Sequence, residues 1–80
     1  MHHHPHSLNN LEDAIRCQTA SLVLSMKAMD KPSIAMSWGN LGLCHRGKGD
    51  PTKALNCYEK SLHWAREVLK DDMAGKSQER

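Results

Sequence analysis

Four histidines lie among the first six residues, at positions 2, 3, 4 and 6. Neutral imidazole binds nickel, copper and zinc, so a cluster of this kind has the chemistry of a metal site. The cluster is terminal, however, and it lacks the second set of hydrogen-bonding groups that orients the ligands of a working site. We therefore interpret metal binding there as adventitious, and the sequence predicts no metal and no other cofactor.

The cysteines offer a second set of ligands but not a second metal site. Cys44, His45, Cys57 and His63 include no pair at zinc-finger spacing, which favours a role in helix packing. The three cysteines are an odd number without a Cys-x-x-Cys motif, and this is a poor disulfide framework. Cys17, Cys44 and Cys57 are therefore expected to be reduced and buried, since a free cysteine packs as a small hydrophobic residue.

The segment Gly47-Lys48-Gly49-Asp50 has glycines and a lysine, as phosphate-binding loops do. It lacks the Gly-x-x-x-x-Gly-Lys-Ser/Thr order, and no strand is predicted before it, so a turn is the better interpretation. No Ser-His-Asp or Cys-His arrangement stands out elsewhere. The sequence thus predicts no enzyme.

Composition restricts the class of protein further. The 80 residues allow one domain at most, and 39% hydrophobic and 25% charged residues are typical of a globular chain. The net charge of +2 is spread along the sequence, which argues against a nucleic-acid partner. No apolar run approaches the roughly 20 residues of a membrane span, and no secretory signal is present. The expected location is the cytoplasm, with no membrane partner.

Apolar spacing predicts about three helices and no strands, so the expected fold class is all-α. The predicted helices span residues 8–30, 33–46 and 51–70. A disordered His-rich leader is expected at residues 1–7 and a polar tail at residues 71–80.

Residues that start and stop helices set these boundaries. Asn10 is a candidate N-cap for the first helix, and Asp30-Lys31-Pro32 should end it, because the residue before a proline avoids the α region. Ser33 can cap the second helix, and Gly47-Lys48-Gly49 should stop it. Asp50-Pro51 then opens the third helix with an N-cap and a proline in the first turn.

The chain repeats itself at a period of 40 residues. Six positions recur, as the pairs Asn10/Asp50, Ala14/Ala54, Ile15/Leu55, Cys17/Cys57, Ser21/Ser61 and Leu22/Leu62. Self-similarity at such a period indicates a helical repeat protein rather than a catalytic domain. We therefore expect the chain to hold another molecule rather than to transform one.

Eight residues carry a more specific pattern: Trp38, Leu41, Gly42, Gly49, Ala54, Tyr58, Ser61 and Leu62. In their order and spacing they resemble the tetratricopeptide repeat, although His45 replaces a usual tyrosine and Arg66 a frequent proline. The resemblance implies a helical hairpin of an α-solenoid, with residues 33–70 as one complete repeat. Residues 8–30 would be the second helix of a truncated preceding repeat, and residues 71–80 would open a third.

The resemblance also suggests why a glycine lies inside the second helix. Gly42 costs about 1 kcal/mol there relative to alanine, which is reasonable if two helices cross closely. We expect Gly42 to face Ala54, with Trp38 and Tyr58 on either side. The 40-residue period is similar to the extended repeats of G-protein-signalling-modulator adaptors and, less closely, to those of kinesin light chains.

In this family the concave surface of the first helix of a repeat binds peptides. The resemblance assigns that surface to Met36, Asn40, Leu43 and Arg46, with Gly39 among them. The amide of Asn40 would bond a peptide backbone, and Arg46 would pair with an acidic group. The expected function is a protein-interaction module or scaffold with a protein or peptide partner. The alternative is a truncated isoform or fragment that self-associates through exposed repeat faces and has no independent binding role.

Overall fold

Three helices make up the part of the protein that the computed structural model describes, namely the backbone of residues 8–78 and the side chains of residues 10–75. Helix α1 spans Leu8–Lys27, α2 spans Lys31–Gly47 and α3 spans Pro51–Gln78. Within these residues there is no strand, so the predicted all-α class is confirmed. The predicted leader, residues 1–7, lies outside the described residues.

The helix starts differ from the predicted ones because Asp30, and not Ser33, caps α2. The backbone amide of Ser33 donates to Asp30 Oδ1 at 3.3 Å, and the Ser33 hydroxyl donates to Asp30 Oδ2 at 2.7 Å. Pro32 therefore lies inside the first turn of α2, where its missing amide costs little. Asn10 lies within α1, which begins at Leu8, so it is not the N-cap.

The two interhelical turns have the same hydrogen bonding and lie 20 residues apart. In each, the amide of an aspartate, Asp30 or Asp50, donates to the carbonyl five residues earlier at 2.9 Å. The residue before each aspartate has a positive φ, 55° at Met29 and 82° at Gly49. This left-handed residue ends one helix, and the aspartate then caps the next. One helix with its turn therefore occupies 20 residues, and two such units make the 40-residue period.

Helix α3 continues past its predicted end at about Lys70 and reaches Gln78. The reason lies at position 70, which is 20 residues after Asp50, just as Asp50 is 20 residues after Asp30. A lysine occupies this position, in place of the aspartate that caps the following helix at positions 30 and 50. No proline follows it, and the next glycine is Gly75. Residues 71–78 thus extend α3 and do not turn back as the start of a third repeat.

Helix α2 packs between α1 and α3, whose described backbones do not approach each other. Four buried residues form the core: Leu22, Ile34, Leu41 and Cys57, with Ile15, Trp38 and Trp64 packed against them. Two ion pairs connect the helices at the edges, Lys48–Glu12 at 2.8 Å and Lys31–Asp71 at 3.0 Å. The second pair joins Asp71, in the last third of α3, to the start of α2, so the residues after Asp71 extend past the beginning of α2.

The close crossing of α2 and α3 is made by Gly42 and Tyr58. A Cβ atom added to Gly42 would lie 2.6 Å from Tyr58 Cδ1 and 3.1 Å from Tyr58 Cζ, and its three nearest atoms all belong to this ring. The expected partner, Ala54, is buried at 3% exposure but is not the residue that faces Gly42. One turn further along, Ser61 Oγ donates to the Ala35 carbonyl at 2.8 Å and fixes the same crossing.

Candidate protein-interaction surface

The four predicted peptide-binding residues lie on α2, and we call this set the α2 surface: Met36, Asn40, Leu43 and Arg46. Met36 and Leu43 are 68% and 56% exposed, so two large apolar side chains are open to solvent on a helix that is packed on two sides. They are seven residues apart, close to two helical turns, so they share one side of α2. The structure therefore places an apolar strip in the middle of the predicted surface.

Asn40 borders this strip but is not a fully available hydrogen-bonding group. Its side chain is half-buried, and its Nδ2 donates to Gln18 Oε1 of α1 at 3.4 Å. A side-chain amide has two donor hydrogens and a carbonyl acceptor, so a ligand would use the positions that Gln18 does not. The main role of Asn40 in this structure is to join α2 to α1.

Arg46 borders the strip on the other side and is exposed. It lines an open groove of about 410 Å³ together with Pro51, Ala54, Leu55 and Tyr58. Apart from Arg46, these groups are apolar or aromatic. The arrangement offers one cation at the edge of an apolar hollow between the end of α2 and the beginning of α3.

A second exposed apolar set lies on α3 and was not among the predicted binding residues. We call it the α3 stripe: Leu55, Leu62, Leu69 and Met73, with exposures of 58%, 51%, 60% and 66%. The three leucines are seven residues apart and therefore follow one side of the helix. Leu62, one of the eight residues of the repeat pattern, lies on this open side. The leucine spacing was the signal in the sequence that identifies the stripe.

The other motif residues have structural positions. Leu41 is 5% exposed, and Gly49 forms the left-handed position of the second turn. Trp38 is half-buried against the core, and Lys60 Nζ lies 5.4 Å from the centre of its ring, within cation–π distance. The lysine thus lies over the face of the Trp38 ring.

The cysteines differ from one another in burial. All three are free thiols, but Cys17 is exposed, Cys44 is half-buried and only Cys57 is buried. The expectation of three buried cysteines is therefore wrong for Cys17, which lies on the side of α1 away from α2. Burial raises the pKa of the Cys57 thiol, because the thiolate loses hydration in the core.

Other chemical sites are limited among the described residues. These residues contain no group of three or more His, Cys, Asp or Glu side chains able to hold a metal ion. The N-terminal histidines lie outside them. Of the helices in the described range, none is long and apolar enough to cross a membrane. On the surface, the hydrogen bond from Lys48, together with its charge, lowers the pKa of Glu12.

Comparison with protein families agrees with this geometry. Residues 35–63 match the family model of the tetratricopeptide repeat, which covers most of α2, the second turn and the first half of α3. No curated protein and no solved structure gives a significant match. The match supports a tetratricopeptide repeat in the α2–α3 hairpin, and the described helices together have an all-α, tetratricopeptide-like arrangement. Repeats of this class are non-enzymatic modules that bind other proteins.

Proposed function

We propose that this protein is an interaction module or scaffold that binds a peptide segment or a partner helix through the α2 surface. The observation that carries the proposal is the exposure of Met36 and Leu43, 68% and 56%, on the helix that both neighbours hold in place. A rigid helix with an open apolar strip can bind a ligand without first ordering itself, which lowers the cost of association.

The chemistry of the α2 surface indicates what the ligand should present. Met36 is unbranched and polarizable, so it adapts to different apolar side chains, and Leu43 extends the strip. Arg46 favours a carboxylate or phosphate placed on the groove side of the strip. Asn40 can add a hydrogen bond on the α1 side. The ligand we expect is therefore a segment with two apolar residues and an acidic group on one side.

Three further points of the proposal rest on the sequence. The 40-residue period resembles that of G-protein-signalling-modulator adaptors, and this resemblance supports a scaffold that connects other proteins. The weak and dispersed net charge of +2 favours a protein partner over nucleic acid. We place the module in the cytoplasm, because its three cysteines are free thiols, as is usual for proteins of a reducing compartment.

A selection from a random peptide library on the immobilised protein tests the proposal, followed by titration of the selected peptides. Met36→Ser should weaken their binding, because the variant removes apolar contact area. Leu24→Ser is the matched control, since Leu24 is equally exposed, at 66%, but lies on α1. The proposal requires that the first variant weaken binding and the control leave it unchanged.

The polar residues give a second readout. Arg46→Ala should weaken acidic peptides selectively, and the difference from wild type should shrink as salt increases. Asn40→Ala should cost about 1–3 kcal/mol if its amide contacts the peptide backbone. If no peptide binds saturably, or if binding ignores Met36 and Arg46, the alternative of a self-associating fragment without a binding role is favoured.

A further inference from the structure

We propose that two copies of this chain associate as a symmetric dimer, in which the α3 stripe of each copy packs antiparallel against that of the other. The proposed dimer interface shares only Arg46, at the edge of the groove, with the α2 surface, and this inference does not depend on the proposed peptide site. Four features of the described residues support it: the stripe itself, its counterpart on α1, a groove with a matching side chain, and the charges on both edges.

The stripe has the pattern of a helix that packs against another helix. Leu55, Leu62 and Leu69 repeat every seven residues, and Met73 continues the same side one turn later. Apolar residues at this period form a continuous seam along a helix. The seam is about 27 Å long at 1.5 Å per residue, and more than half of each side chain is exposed. Seams of this kind on a protein surface mark interaction sites.

The chain contains an occupied counterpart of the stripe. At the period of 40 residues, Ile15 and Leu22 of α1 correspond to Leu55 and Leu62 of α3. Both α1 residues pack into the core with α2, and Leu22 is only 6% exposed. The equivalent Leu62 is 51% exposed. On α1, these positions of the repeat form an interface with α2. On α3, no helix among the described residues covers them.

The two ends of the stripe are complementary to each other. The groove of about 410 Å³ lies at its beginning, next to Pro51 and Leu55. Met73 lies at its end and is 66% exposed. In an antiparallel pair with the two-fold axis at Leu62, Leu55 lies opposite Leu69 of the second copy, and Met73 lies opposite Pro51. The flexible methionine side chain can then fill the groove of the other copy, and the contact occurs twice.

Charges on both edges of the stripe favour the same arrangement. Along one edge, Glu59 lies opposite residue 65 of the second copy and therefore next to Arg66 of that copy. By symmetry, Arg66 of the first copy lies next to Glu59 of the second. Along the other edge, Asp72 reaches the end of the stripe where Arg46 borders the groove. In a parallel pair, each of these residues would have the same residue of the second copy at its own height, on the opposite edge of the seam. Only the antiparallel pair therefore brings opposite charges together on both edges.

This self-complementarity is the argument for a second copy as the occupant. A two-fold interface requires one surface to contain both members of every contact. The α3 stripe does so for Met73 and its groove, and for the charges on both edges. Binding of a helix from another protein would require only the apolar seam. It would not require α3 to contain both members of each charge pair.

Sedimentation equilibrium of the full chain tests the proposal at concentrations from about 1 µM to about 1 mM, where modest interfaces dissociate. We expect a reversible monomer–dimer equilibrium. Leu62→Glu places two carboxylates at the two-fold axis and should give monomers throughout this range. Met36→Glu is the matched control, because Met36 is more exposed than Leu62, at 68% against 51%, but lies on α2, and it should leave the dimer unchanged. Circular dichroism checks that both variants stay helical.

A charge exchange tests the antiparallel arrangement without altering the apolar seam. Glu59→Arg alone and Arg66→Glu alone each set like charges against each other at two places. Each should weaken the dimer about tenfold or more, by loss of two ion pairs and gain of repulsion. An equimolar mixture of the two variants restores opposite charges at both places. The mixture should therefore form a heterodimer as stable as the wild-type dimer. Leu62→Glu, which stays monomeric, is the negative control.

Four results would overturn the proposal: a wild-type monomer at all concentrations, open-ended oligomers, a dimer that Leu62→Glu leaves intact, or no recovery in the mixture. If Met36→Glu abolishes association instead, the copies meet through the α2 surface. The peptide titrations, repeated with Leu62→Glu present in every variant, decide the proposed function separately, because this substitution keeps the α2 surface unchanged.

Discussion

The contact between Gly42 and Tyr58 gives the most direct test of how the repeat packs. Gly42→Ala adds a Cβ atom 2.6 Å from Tyr58 Cδ1, closer than any relaxed carbon–carbon contact. The Tyr58 ring has to shift before this atom can fit, so we expect an overpacking cost of about 1–3 kcal/mol. Alanine also gains about 1 kcal/mol in helix propensity over glycine. The expected net change is a loss of about 1 kcal/mol in unfolding free energy.

Urea denaturation followed by circular dichroism measures this change, at a protein concentration where the chain is monomeric. Gly75→Ala is the control, because a Cβ atom there meets nothing within 4 Å. This control should gain up to about 1 kcal/mol from propensity alone. In thermal unfolding, 1 kcal/mol corresponds to a shift of about 4–8 °C for a domain of this size. The two variants should therefore move the melting temperature in opposite directions.

A double-mutant cycle locates the cost in the tyrosine ring. In the background Tyr58→Ala the ring is absent, so Gly42→Ala should become stabilising, like Gly75→Ala. The reasoning is refuted if Gly42→Ala stabilises the wild-type protein as much as Gly75→Ala does. It is also refuted if Tyr58→Ala leaves the effect of Gly42→Ala unchanged, because the crossing would then not depend on this contact.

Three further predictions concern single residues. Met29→Gly should raise the unfolding free energy by up to about 1 kcal/mol, because glycine adopts a positive φ without strain; unchanged stability in urea would contradict this. In thiol labelling followed by mass spectrometry, Cys17 should react first and Cys57 last, since burial and a raised thiol pKa both slow Cys57. The pKa of Glu12, measured by carboxyl NMR, should rise in Lys48→Met, because the hydrogen bond and the charge that lower it are removed. In the wild type, the Glu12–Lys48 pair should stabilise the fold above the pKa of Glu12 in the unfolded chain, and this stabilisation should be lost as the pH falls through the lower pKa of the folded state.

The sequence was sufficient for the fold where local signals agree. Asp50-Pro51 after glycine predicts a helix start, and Asp50 indeed caps α3 through the amide of Lys53 at 3.2 Å. The first turn has the same geometry but a methionine in the left-handed position, where glycine is the usual residue. Its aspartate, Asp30, was therefore interpreted as a helix breaker, and the start of α2 was placed two residues too late.

The predicted end of α3 shows what a period can and cannot establish. A 40-residue repeat implies a turn near Lys70, but a turn forms only where residues favour it. Lys70 provides no cap, and the lysine and aspartates that follow are compatible with a helix. The helix therefore continues to Gln78. Periodicity located the equivalent positions correctly, and the side chains at those positions decided the local structure.

For the candidate surface, the sequence indicated which residues share a side of α2 but not what lies beside them. The hydrogen bond from Asn40 to Gln18 depends on how α1 crosses α2, and spacing within one helix does not contain that information. The exposed leucines of α3 were missed for a related reason. Spacing within α3 shows that Leu55, Leu62 and Leu69 share a side, but it does not show that α2 covers only the side of Ala54 and Cys57.

The two apolar sides of α3 connect stability with association. The described core contains few fully buried side chains, with Ile34 at 1% exposure the largest of them, so the monomer has little apolar burial to offset its conformational entropy. A dimer that covers Leu55, Leu62 and Leu69 would bury more apolar surface, as the packing of α1 against α2 already does for Leu22. Because only the folded chain presents this stripe, dimerisation would stabilise folding by mass action. The free energy of unfolding and the oligomeric state of this protein would then change together with its concentration.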